Sequence, residues 1–68
     1  MAEGFYFIEV KRIVKKYSVK LLSLAFNEEM KVDILLSNEP NSIEKKESML
    51  KEIRKLVPVN EIKYADTN

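Results

Sequence analysis

Six residues between positions 11 and 20 could bind phosphate groups. The segment KRIVKKYSVK carries five cations and one tyrosine, namely Lys11, Arg12, Lys15, Lys16, Lys20 and Tyr17. Cationic side chains neutralise phosphates, and exposed aromatic rings stack on bases. Nucleic-acid binding through these six residues is therefore one candidate function. The net charge of +1 and the isoelectric point near 7.9 are lower than in most nucleic-acid-binding domains, so we treat this function as the alternative.

The residue inventory argues against catalysis. The chain contains neither histidine nor cysteine, which removes the usual general base and the strongest nucleophile. Ser18 and Lys20 could form a Ser–Lys dyad, but a spacing of two residues on a strand is a chance arrangement. With one glycine there is no phosphate-binding loop, and Glu28, Glu29 and Asp33 do not match a calcium loop. We expect a non-enzymatic protein with no cofactor, no metal site and no small-molecule substrate.

Composition indicates a folded domain that needs additional support. Sixty-eight residues with 46% apolar and 34% charged side chains predict a single small domain over residues 1–68. A domain of this size buries little surface, and this chain cannot add disulfides or a zinc site. Oligomerisation is the remaining common way for so small a domain to gain stability. No apolar run exceeds four residues, so we expect a cytoplasmic protein with no membrane partner.

The clearest predicted element is a helix near residues 42–57. Ile43, Leu50, Ile53 and Val57 fall on one stripe at helical spacing. Asn41 followed by Glu44 fits an N-cap with an acidic residue in the first turn, and Pro58 marks the end.

Alternating apolar residues predict strands near 19–26, 30–37 and 60–65. The first two form a hairpin around the polar tip 27–29. The first twenty residues fit two patterns. The β-favouring run Phe5-Tyr6-Phe7-Ile8 favours a strand at 5–10, whereas a helix would align an apolar stripe from Tyr6 through Val10, Ile13, Val14 and Tyr17 to Leu21 and Leu24. Residues 11–18 could extend the strand or form one to two turns of helix.

These elements predict a small α+β domain. We expect an antiparallel sheet of three to four strands packed by one amphipathic helix in the C-terminal half, with an additional short helix at 11–18 left open. The predicted core consists of Leu21, Leu24, Ile34, Leu36, Leu50, Ile53 and Ile62.

The hairpin is apolar on both faces, and one helix covers only one of them. The second face predicts a homodimer or a protein partner, because a large exposed apolar patch usually marks an interface. The candidate interface residues are Leu22, Leu24, Leu35, Phe5 and Phe7, the two phenylalanines at the rim if the first strand flanks the hairpin. A bulge would exchange Leu22 and Leu24 for Leu21 and Val19, and a helix at 11–18 could cover the face instead. The preferred function is therefore a small interaction or regulatory module.

Overall fold

The computed structural model describes residues 3–65, which form two helices and a three-stranded sheet. In chain order the elements are α1 (Glu3–Lys16), β1 (Leu21–Phe26), β2 (Val32–Leu36), α2 (Ile43–Leu56) and β3 (Val59–Tyr64). The α+β class, the small sheet and the C-terminal-half helix are confirmed. Among these residues no helix is both long and apolar enough to cross a bilayer.

The sheet is mixed rather than wholly antiparallel. Its strand order is β1-β2-β3, with β1 and β2 antiparallel and β2 and β3 parallel. The connections between the strands explain why one pair is antiparallel and the other is parallel. A tight turn joins β1 to β2, whereas the crossover through α2 returns the chain so that β3 runs in the direction of β2.

The predicted strand at residues 5–10 is wrong, because these residues belong to α1. Helical spacing aligns Tyr6, Val10, Ile13, Val14 and Tyr17 on the inner side, where Val10 and Val14 are fully buried. Burial of this stripe outweighs the local β preference of the aromatic run, since tertiary packing supplies most of the stability of a helix in a protein. The open question at residues 11–18 is resolved as the second half of the same helix.

Helix α1 ends in a Schellman motif built around Ser18. The Ser18 N–H donates to the Lys15 carbonyl at 3.0 Å and the Val19 N–H donates to the Val14 carbonyl at 3.1 Å. Ser18 adopts the left-handed conformation that this motif requires, with φ of 62°. Val14 and Val19 are both buried and provide the apolar pair that usually accompanies the motif.

Helix α2 matches its predicted range within one residue at each end, but its cap differs. The N-cap is Ser42 rather than Asn41, and the Ser42 hydroxyl accepts a hydrogen bond from the Lys45 N–H at 3.0 Å. Met49 and Ile53 are fully buried against the sheet layer.

Strand β1 contains a bulge that decides which apolar residues enter the core. Leu21 pairs with Leu36, and the next pair along the ladder is Ser23 with Leu35, so the register shifts between Leu21 and Ser23. The register thereby places Leu21, Leu24 and Phe26 on one face, opposite Leu36, Ile34 and Val32.

Both helices pack on this same face. The buried core joins Val10 and Val14 of α1 to Met49 and Ile53 of α2 and to the central strand. Of the predicted core residues, four are buried and three are half-buried against it; these are Leu21, Ile34, Leu36 and Ile53, then Leu24, Leu50 and Ile62. The molecule is therefore a two-layer arrangement, and within residues 3–65 no element covers the other face of the sheet.

Candidate functional site

The uncovered face of the sheet carries two of the five predicted interface residues. Leu22 lies beside the bulge with 39% of its surface exposed, and Leu35 lies on the central strand, half-buried. Ala25 is exposed on the same face, opposite Asp33. We call this surface, made of Leu22, Ser23, Ala25, Asp33, Leu35, Glu61 and Lys63, the open sheet face.

Three predicted interface residues do not belong to the open sheet face. Leu24 pairs with buried Ile34 and packs against the core, because the bulge turns it to the helix side. Phe5 and Phe7 lie on α1, in the other layer of the molecule. Phe7 packs against the core, whereas Phe5 is 45% exposed. They cannot form a rim, because the strand that would have placed them beside the hairpin is a helix.

The open sheet face is more polar than the sequence pattern predicts. Along β3 it presents Glu61 and Lys63, whose charged groups lie 3.8 Å apart. The Asn60 side-chain amide donates to the Asp33 carboxylate at 2.8 Å. The apolar residues thus form a small patch on β1 and β2, bordered on the β3 side by groups of both charges.

The predicted phosphate-binding cluster divides into two groups. Arg12, Lys16 and Tyr17 contact carboxylates of the protein itself. Arg12 lies 3.3 Å from Glu9, one turn earlier on α1. Lys16 Nζ lies 2.6 Å from Glu52 Oε1, and the Tyr17 hydroxyl donates to the other oxygen of the same carboxylate. These three residues are therefore less available to an external phosphate.

Glu52 links the two helices through these contacts. The hydrogen bonds from Lys16 and then Tyr17 lower the pKa of the Glu52 carboxyl below its ordinary value. The same bonds to Glu52 raise the pKa of the Lys16 amine and of the Tyr17 hydroxyl. Each shift favours the state in which Glu52 is ionised, Lys16 is charged and Tyr17 keeps its proton.

Lys11, Lys15 and Lys20 form the second group. They line one groove of about 550 Å³ between the C-terminal half of α1 and the start of β1. The other lining residues are Ser18, Val19, Leu21, Ser37 and Asn38, so no carboxylate lines it. We call this groove the basic groove.

The backbone around the basic groove is held by hydrogen bonds. The Lys20 N–H donates to the Ser37 hydroxyl at 3.0 Å, and the Ser37 N–H donates to the Lys20 carbonyl at 2.8 Å. Together these bonds join the backbone of Lys20 to Ser37 just beyond the β1–β2 ladder and so fix the backbone at Lys20. Ser37 and Asn38 were not predicted as site residues, since only the pairing of two distant segments brings them to the lysines.

Comparison of this chain with protein-family models, curated proteins and solved structures gave no significant match. The function must therefore be inferred from the side chains of this chain, because a fold alone does not imply a function. The open sheet face and the basic groove are the two surfaces that carry such an inference.

Proposed function

We propose that the protein is a non-enzymatic interaction module that forms a homodimer through the open sheet face. The observation that carries the proposal is the absence of any covering element on this face within residues 3–65, with Leu22 and Leu35 exposed or half-buried there. Burying these side chains against a second copy would remove apolar area from water, at about 25 cal/mol per Å².

A second copy is favoured over an unrelated partner by the charges on the face. In a two-fold dimer the same patch meets itself, so a patch with both signs can pair with its own copy. Lys63 borders the apolar patch on the same face as Asp33 and Glu61. Its ion pair with Glu61 is long, at 3.8 Å, and exposed, so the Lys63 amine can exchange it for an acidic group of a second copy. An antiparallel arrangement of two such faces lets each Lys63 amine approach an acidic side chain of the other copy.

The size of the face predicts a weak dimer. Three strands about 5 Å apart and six residues long, at about 3.3 Å each, give a patch of roughly 15 by 20 Å. A stable interface usually buries about 800 Å² per partner, and the outline of the open sheet face, roughly 300 Å², lies well below that size. We expect dissociation constants in the micromolar range, about 1 to 100 µM.

Sedimentation equilibrium over about 5 to 500 µM protein tests the proposal across the expected range of dissociation constants. The wild type should pass from monomer to dimer. The double variant Leu22→Lys, Leu35→Lys should stay monomeric, because it places four lysines in the shared interface. The matched control Ile8→Lys, Met30→Lys makes the same chemical change at positions that are 57% and 66% exposed, and it should dimerise like the wild type.

Two results would contradict the proposal. One is a wild-type monomer throughout the concentration range. The other is an equal loss of dimer in the control variant, which would assign the effect to net charge rather than to the face. Circular dichroism of both variants confirms that each remains folded.

A further inference from the structure

We propose that the basic groove binds the phosphate backbone of a nucleic acid, through Lys11, Lys15 and Lys20. This goes beyond self-association, because the groove involves the end of α1 and the start of β1 rather than the open sheet face. In the folded chain three of the five cations between positions 11 and 20 line this groove, and the other two pair with Glu9 and Glu52. The sequence alone does not show this division.

The three lysines of the groove form no ion pair with the acidic side chains described within residues 4–65. The ion pairs of this region use other residues, since Glu9 contacts Arg12 and Glu52 contacts Lys16. A cation without an intramolecular partner keeps its full attraction for an external anion. By contrast, a larger groove along the outer side of α2 mixes Glu44 and Glu47 with its cations.

The spacing of the lysines on α1 is compatible with a row of phosphates. Lys11 and Lys15 are four residues apart on α1 and so lie about 6 Å apart along the helix axis, at about 1.5 Å per residue. One strand of a duplex carries a phosphate about every 3.4 Å of helix axis. Two lysines on one helix face can therefore contact neighbouring phosphates of one strand at the same time, whereas a single phosphate ion cannot use both positions as well. Lys20 follows the C-terminal turn of α1 at Ser18 and lines the same groove.

The C-terminus of α1 at the groove opposes anion binding, but its effect is smaller than that of the lysines. A helix C-terminus carries a partial charge of about −0.5, whereas the groove holds three full positive charges. The Schellman hydrogen bonds also satisfy the Val14 and Lys15 carbonyls, which would otherwise be unpaired at the helix C-terminus. The net field in the groove is therefore positive.

The lining predicts how the nucleic acid is bound. No aromatic side chain lines the groove, and Tyr17 is bonded to Glu52. Stacking on bases is thus not available there. Binding should depend on phosphate density and not on sequence, so a duplex should bind at least as tightly as a single strand.

Fluorescence anisotropy with a labelled duplex of about 20 base pairs tests the proposal at several salt concentrations. Three phosphate contacts predict a slope of log K against log salt of about −2.7. The triple variant Lys11→Gln, Lys15→Gln, Lys20→Gln should bind at least about tenfold more weakly, with a slope near zero. If the triple variant does not fold, the double variant Lys11→Gln, Lys15→Gln should still lose about two-thirds of the slope.

The matched control removes three exposed lysines of α2 instead, Lys45→Gln, Lys51→Gln and Lys55→Gln. It has the same net charge as the triple variant and should bind within about threefold of the wild type. An equal loss in this control would overturn the proposal in favour of unspecific attraction. So would the absence of wild-type binding at about 100 µM protein in low salt.

Two further measurements, competition by inorganic phosphate and binding of a single strand, test which ligand the groove takes. Inorganic phosphate, added at constant ionic strength, should not displace the duplex, whereas displacement would show a site for a single phosphate and overturn backbone binding. A single strand that binds more tightly than the duplex would indicate base stacking and would likewise contradict the proposed mode. The monomeric variant Leu22→Lys, Leu35→Lys should retain binding, so the two proposals fail independently.

Discussion

At the scale of single residues, two non-glycine residues adopt the left-handed backbone conformation that glycine usually adopts. Ser18 has φ of 62° and Met30 has φ of 63°. Ser18 closes α1, whereas Met30 completes the turn in which the Asn27 side chain accepts hydrogen bonds from Glu29 and Lys31. Left-handed geometry costs a residue with a side chain about 1 kcal/mol or more, so both positions store strain.

We expect Ser18→Gly to stabilise the protein by about 1 kcal/mol, because glycine adopts the left-handed conformation without the Cβ clash. Urea unfolding at low protein concentration measures the change. The control is Ser48→Gly, at an exposed position in the middle of α2. It should destabilise the protein by about 0.5 kcal/mol. Destabilisation by both substitutions would contradict the Schellman geometry at Ser18.

At the scale of elements, the two edge strands share one pattern. β1 reads LLSLAF and β3 reads VNEIKY, and in each the first, fourth and sixth residues face the helices. A step of three followed by a step of two is the spacing of a bulged strand, since one extra residue moves the following side chains to the other face. β3 has the matching irregularity, because Val32 pairs with Val59 and Asp33 pairs with Glu61.

The bulge predicts opposite outcomes for two neighbouring leucines. Leu24→Ala should destabilise the protein by about 2 kcal/mol, because Leu24 packs against the core and its truncation leaves a cavity. Leu22→Ala should change stability by less than about 0.5 kcal/mol in the monomer. Urea unfolding below the dimerisation range compares the two. The reverse order would mean that β1 is a regular strand with Leu22 in the core.

At the scale of the whole molecule, the two helices are tied to each other as well as to the sheet. Their buried faces meet over the core, and at the surface Glu52 of α2 binds Lys16 and Tyr17 at the end of α1. We expect this contact to make the docking of α1 depend on pH. Because the pKa of Glu52 in the folded protein is lowered from its ordinary value of 4.5, its contribution to stability is present above that value and is lost as the pH falls through the folded pKa.

We expect the melting temperature of the wild type to fall more steeply than that of Glu52→Gln between about pH 5 and pH 3. The variant lacks the carboxylate and should already be less stable near neutral pH. The control Glu47→Gln removes an exposed carboxylate of the same helix. It should keep the steep acid dependence of the wild type, because Glu52, Lys16 and Tyr17 are unchanged. Parallel profiles for the wild type and Glu52→Gln would show that the contacts of Glu52 with Lys16 and Tyr17 do not contribute to stability.

The local patterns in the sequence were sufficient for α2 and for the hairpin. A 3.6-residue stripe ending at a proline and an alternation around a polar tip each have one interpretation, and the structure has both elements within two residues of the expected ends. Even the cap of α2 moved only from Asn41 to Ser42. These features depend on neighbours along the chain, so a sequence determines them directly.

Only the tertiary structure decided the identity of α1, the faces of β1 and the division of the basic cluster. Residues 5–10 fit two periods, and the helix prevails because the core offers a place for Val10 and Val14. Leu24 joins the core because the register with β2 skips one residue, and Lys16 differs from Lys15 because Glu52 lies opposite it. Each outcome depends on a partner in another helix or strand. The sequence determined which residues could make these contacts, and the packed structure determined which contacts they make.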